Sequence, residues 1–165
     1  MDENFLLEGM NVAIGLVPVD LNDGANTGLR ISMKDAARVT FLVAMGDSTA
    51  AVTNFSLKQH NAASSGTTKA LSVANPYYKK VGGIDAANPT KWTKVVPGSA
   101  TDNYVPTDFA GDPGMIAFEV LAEDLDVEND FCYVSLNAAD STAAKLGAVI
   151  AIVQSKSLPA YDQSI

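Results

Sequence analysis

An all-β fold, a single-domain β-sandwich of jelly-roll or Greek-key type with long polar loops, is what this sequence predicts. Three observations carry that expectation. Eight or more short β-branched or aromatic runs follow one another along the 165 residues, divided by segments rich in Gly, Pro, Asn and Asp. Helix signals are few. The pentapeptide Asp-Ser-Thr-Ala-Ala occurs twice, at Asp47 to Ala51 and Asp140 to Ala144, each time directly after an apolar run. Both copies read as the turns of matched hairpins, because the Asp carboxylate and the hydroxyls can accept hydrogen bonds from nearby backbone N–H groups.

In chain order, Asn11 to Val19 reads as the first strand, with Pro18 pointing to an edge or a strand end. Asp20 to Gly28 is dense in turn formers and leads to a short second strand, Leu29 to Met33. Lys34 to Ala37 makes a polar turn before a third strand at Arg38 to Met45, and the first pentapeptide returns the chain as Val52 to Gln59, completing a four-stranded half. From His60 to Pro113 loop composition prevails. Leu71-Ser72-Val73, Tyr77 to Val81 and Trp92 to Val96 are compatible with short strands there. Asp112-Pro113-Gly114 turns into Met115 to Leu121, and Asn129-Asp130 precedes Phe131 to Asn137. The final run, Leu146 to Val153, is continuously apolar and reads as a strand buried on both faces. Residues 1–10 form an N-terminal arm, 11–155 the sandwich and 156–165 a C-terminal tail.

Composition limits the function. Hydrophobic residues make up 47% of the chain but aromatics only 7%, so small and β-branched side chains fill the core. Charged residues are 18%, a low share that suits a protein living in an assembly. With 11 basic and 19 acidic residues the formal net charge is −8, which disfavours direct binding to a nucleic acid backbone. The acidic N-terminus and the lack of an apolar stretch of about 18 residues predict neither a signal peptide nor a membrane partner. Cys132 is the single cysteine, so no intrachain disulfide forms, and its setting predicts a small core hydrophobe.

Chemistry-bearing patterns are sparse, and no catalytic, cofactor-binding or metal residues are assigned. His60 is the only histidine, read as a surface residue at a strand end, with no partner that could complete a zinc site. There is no Gly-x-Ser-x-Gly elbow, phosphate loop or dinucleotide fingerprint, which leaves a hydrolase the least supported class. Glu123, Asp124, Asp126, Glu128 and Asp130 crowd one turn. Their spacing begins like an EF-hand, but the sixth position is Asn129 and the twelfth Ser135, so Glu123 to Asp130 reads as a solvated strand end or a partner-facing rim, with calcium an open alternative. Tyr77, Tyr78, Trp92 and Tyr104 gather mid-chain, where an aromatic platform for sugars is one reading and burial, above all of Trp92, the other.

The stretches Val17 to Leu21, Arg30 to Lys34, Ala44 to Ala50, Leu57 to Ser64 and Phe118 to Asp126 resemble small structural proteins of tailed bacteriophages, most of all head decoration or cement proteins. The resemblance runs from about Asn11 to Tyr161. It implies a non-enzymatic protein made in the host cytoplasm and placed on the capsid surface of the virion. Its partners there would be the major capsid protein and further copies of itself, most simply as a trimer. The arm with Phe5-Leu6-Leu7 would lie across a neighbour. A tail-tube or head-tail connector subunit is the first alternative and a carbohydrate-binding module the second.

Overall fold

The computed structural model describes residues 10–50, 52, 54–82 and 91–156. The arm before Met10, most of the Gly82 to Pro89 loop and the tail beyond Lys156 lie outside them. The strands are β1 (Met10–Asp20), β2 (Ile31–Ser32), β3 (Ala36–Met45), β4 (Phe55–His60), β5 (Thr68–Ala70), β6 (Tyr77–Val81), β7 (Thr93–Val95), β8 (Asn103–Tyr104), β9 (Gly114–Leu121), β10 (Tyr133–Ala138) and β11 (Leu146–Ser155). One sheet has the order β1-β11-β3-β9-β6-β7, the other β2-β10-β4-β5, with β8 also pairing β4. Every strand pairing is antiparallel.

Without β6, β7 and β8, the sheets reduce to β1-β11-β3-β9 and β2-β10-β4-β5. That order is two interlocked Greek keys wrapped around one core, a jelly roll. It resolves the choice that the sequence leaves open. The remaining strands form an insertion between β5 and β9 that widens the first sheet by β6 and β7.

Side-chain alternation explains how the layers meet. Val39, Phe41, Val43 and Met45 of β3 and Ile116, Phe118 and Val120 of β9 are buried, as are Phe55 and Leu57 of β4 and Val134, Leu136 and Ala138 of β10. At the centre Phe118 packs against Phe55, Tyr77 and Tyr104, with ring centroids 6.0, 5.6 and 4.6 Å away. The insertion thus supplies two rings to the shared core. As expected from Pro18, β1 is an edge strand, and its register with β11 shifts twice, around Gly15 and before Val19.

Three expectations are corrected. The pentapeptides are not hairpin turns: the first carries the chain from β3 in one sheet to β4 in the other, the second from β10 back to β11. The two crossings lie side by side, joined by an antiparallel bridge between Val52 and Ser141 and by the Ala139 N–H to the Asn54 carbonyl at 2.9 Å. Their turn chemistry is as predicted in the first copy, where the Ser48 N–H donates to Asp47 Oδ1 at 2.8 Å and the Ala50 N–H to Ser48 Oγ at 3.3 Å. In the second copy Ser141 Oγ instead donates to the Ala143 carbonyl. The first four strands alternate between sheets, so they form no four-stranded half. Leu71 to Val73 is not a strand; it holds the single bridge Val73 to Thr101, while Thr68–Ala70 makes the ladder with β4.

Gly28 shows how tightly the β1–β2 connection is laid over the second sheet. Its N–H donates to Asn137 Oδ1 at 2.9 Å, and the next N–H, of Leu29, donates to the Gly15 carbonyl. A Cβ on residue 28 would stand 2.1 Å from the Leu136 carbonyl oxygen and 3.2 Å from that of Gly15. Both obstacles are backbone and cannot rotate away. Gly28→Ala is expected to cost about 1–3 kcal/mol, as other overpacking substitutions do, which urea denaturation would measure; an unchanged midpoint would refute this.

Candidate functional site

Strand β11 is where the structure departs most usefully from expectation. It is buried on one face only: Val149 and Ala151 are inside, whereas Leu146 is 68% and Ile150 44% exposed. The same holds across the sheet. Register places Ile14 beside Ile150, Ile150 beside Leu42, Leu42 beside Ala117 and Ala117 beside Tyr78, an unbroken outward row over five strands. The adjoining rows are Val12, Ile152 and Thr40 on one side and Ala148, Ala44 and Met115 on the other. From β1 to β9 the only charged member of these rows is Glu119, in register with Thr40.

Polar groups border this patch. At one end Arg38 donates through Nε to Gln154 Oε1 at 2.6 Å and through Nη1 to Glu119 Oε1 at 2.7 Å, a cross-strand ladder at the exposed rim. At the β6–β7 margin Lys80 pairs in register with Met115 and Lys94 with Tyr78. An apolar centre with a polar border is the anatomy of a protein contact surface.

The outward side of the second sheet is closed over instead. His60 is 3% and Ser135 0% exposed, which corrects the expectation of a surface histidine. His60 Nδ1 meets Thr68 Oγ1 at 2.8 Å and Nε2 meets Ser135 Oγ at 2.9 Å. Ser135 Oγ in turn donates to Asn137 Oδ1 at 3.2 Å, the atom that also accepts from Gly28. Arg30 roofs this network, donating to the Ala62 carbonyl at 2.8 Å, to the Ser65 carbonyl and to Thr68 Oγ1. Burial, reinforced by the Arg30 charge, lowers the His60 pKa to about 4. The imidazole is therefore neutral and both ring nitrogens are occupied. A buried Ser hydroxyl already bonded to Asn137 cannot meet a substrate, so this His–Ser pair pins the sheet and its covering loops.

Among the other sequence candidates, Asp124 Oδ2 accepts from the Leu121 N–H and from Asn75 Nδ2, each at 2.7 Å. Asp126 is bonded to Lys69 and to Asn129, and its own N–H donates to Gln59 Oε1. Lys69 also lies over the Phe131 ring. The carboxylates of Asp124 and Asp126 in the acidic stretch are thus spent on closing turns and anchoring them to β4 and β5. Among the described residues no group of three or more His, Cys, Asp or Glu side chains converges. Cys132 is half-buried just before β10, not in the core. Trp92 is 42% exposed, contrary to the expected burial, while Tyr104 is inside and Tyr77 packs against it. The four mid-chain aromatics therefore do not form one platform.

Lys145 escaped the sequence reading altogether. It is 1% exposed, and its Nζ donates to the carbonyls of Phe109 at 3.0 Å and Asp112 at 3.3 Å, tying the second pentapeptide crossing to the insertion. Burial lowers its pKa, opposed by the nearby Asp47 and Asp112 carboxylates. No local pattern distinguishes such a lysine, because its acceptors lie over thirty residues away.

Fold and surface together define a jelly-roll protein with one broad apolar sheet face exposed. No protein-family model matches the chain, and no curated protein matches it. Among solved structures it is similar to the crystal structure of the SPBc2 prophage-derived protein YomS, at a TM-score of 0.47 and 10% identity over 93% of this chain and 100% of that one. No helix among the described residues is long and apolar enough to cross a membrane.

Proposed function

We propose that this chain is a non-enzymatic structural protein of a tailed-bacteriophage virion, which binds the outside of the capsid lattice and stabilises it. The observation that carries this reading is the apolar outer face of the six-stranded sheet, a surface suited to protein contact and not to chemistry. The family resemblance of the sequence supports the virion as its setting. The mechanism is mass action: a protein that binds only the assembled lattice lowers the free energy of that state by its binding free energy, multiplied over many copies. The partners are the major capsid protein and other copies of the chain.

The direct test mixes the purified full chain with expanded, DNA-free capsids of the phage that encodes it, pellets the particles and images them by electron microscopy. Density at regular lattice positions is the expected result. Protein that stays in the supernatant while the capsids pellet bare would sink the proposal.

A further inference from the structure

We infer that the outer face of the six-stranded sheet is the surface through which two copies of this chain pair. The inference rests on the reading of that face as a protein contact surface and assigns it to the second of the two partners proposed, another copy of the chain.

Charge selects the occupant. Copies of a chain with net charge −8 repel one another over most of their surface. The rows Ile14–Ile150–Leu42–Ala117, Val12–Ile152–Thr40–Glu119 and Ala148–Ala44–Met115 carry a single carboxylate, so here that repulsion is small. That carboxylate, Glu119, is already paired with Arg38. The face therefore opposes a second copy little.

Extent and shape agree. The whole outer face of the six-stranded sheet, its polar border included, covers roughly 800 Å² in projection at about 4.8 Å between strands and about 3.4 Å per residue, close to the ~800 Å² per partner of a stable interface, whose apolar centre likewise has a polar rim. The other exposed large apolar side chains, Leu29, Trp92, Val96, Val105 and Val127, are scattered over connecting segments, Trp92 and Val96 at the two ends of β7 and Val105 just after β8, and form no second row. A head-to-tail contact would need a second, different apolar patch to receive this one. Pairing the face with its own copy across a two-fold axis needs none. Two twisted sheets meeting this way pack about 10 Å apart with strands within about 30° of alignment. Such a two-fold pair differs from the trimer that the family resemblance implies.

Sedimentation velocity on the full chain tests it. The wild type should run at twice the chain mass. Ile150→Lys and Ile14→Lys should associate at least ~10-fold more weakly, since each would bury a charge against the other copy, while keeping the wild-type circular dichroism. Ile150→Thr retains strand propensity and should weaken pairing in the same direction if either lysine variant fails to fold. Val127→Lys, off the face, should pair like wild type. Added salt should tighten pairing by screening the net charge. A monomeric wild type, or an Ile150→Lys protein as dimeric as wild type, would overturn the inference. A monomer that binds capsids and loses that binding with Ile150→Lys would also overturn it, assigning the face to the capsid protein and leaving the proposed function intact.

Discussion

Phe118→Ala should lower the unfolding free energy by about 3–5 kcal/mol, the usual cost of emptying an aromatic site in a core. Phe118 is 1% exposed and stands where three parts of the chain converge. Its ring touches Phe55 from the facing sheet, Tyr77 from the inserted strand β6 and Tyr104 from β8. The surrounding rings belong to two hydrogen-bonded sheets, so the walls of the cavity cannot close without breaking register. Against a total stability of about 5–15 kcal/mol, that loss should lower the melting temperature by roughly 10 °C or more. Val96→Ala, on an exposed connection, should stay within about 0.5 kcal/mol of wild type. A calorimetric loss below about 1 kcal/mol for Phe118→Ala would show that the aromatic cluster does not hold the sheets together.

Acid should weaken the fold through His60. The unfolded imidazole takes its proton near 6.5, the folded one only near 4. Between those values the unfolded chain binds more protons than the native one, so stability declines as the pH is lowered through this window. The full difference is on the order of 3 kcal/mol. It is present above pH 6.5 and lost by about pH 4. Asp20, Asp108 and Asp126 have lowered pKa values, from backbone N–H donors at Asp20 and from lysine hydrogen bonds at Asp108 and Asp126, so their contributions fail only under more acidic conditions, below their ordinary value of 3.8. His60→Gln removes the titration. Its stability should be lower at neutral pH but flatter between 6.5 and 4, and denaturation profiles that run parallel for both proteins would contradict this account.

Local signals performed well where they depend on neighbours in sequence. Tyr77 to Val81 is a strand over the predicted residues, β9 begins at the turn Asp112-Pro113-Gly114, and Pro18 lies on an edge strand. The DSTAA segments read as hairpin turns, and their role as paired sheet crossings is invisible in sequence, because crossing and hairpin use the same residues and differ only in where the next strand pairs. β8 was missed for a related reason: two residues, Asn103 and Tyr104, carry too little pattern to register.

Burial was the least legible property. The run Leu146 to Val153 has no polar residue to reveal that one side of β11 faces outward, so it looked doubly buried. His60 looked like a surface residue because the loops that cover it, through Arg30, Ala62 and Thr68, arrive from other parts of the chain. Trp92 looked like core on size alone, although Phe118, Tyr77 and Tyr104 already fill the space between the sheets.

The all-β class, the absence of a disulfide and the acidic, weakly charged surface follow from the residues alone, since composition, alternation and turn chemistry act over a few neighbours. Strand order, the burial of His60 and Lys145 and the exposure of the Ile14–Ile150–Leu42 row follow from the folded chain. They are set by contacts between residues as much as 144 positions apart, as in the pairing of Met10 with Gln154, and long-range pairing of this kind leaves no periodic trace in the sequence.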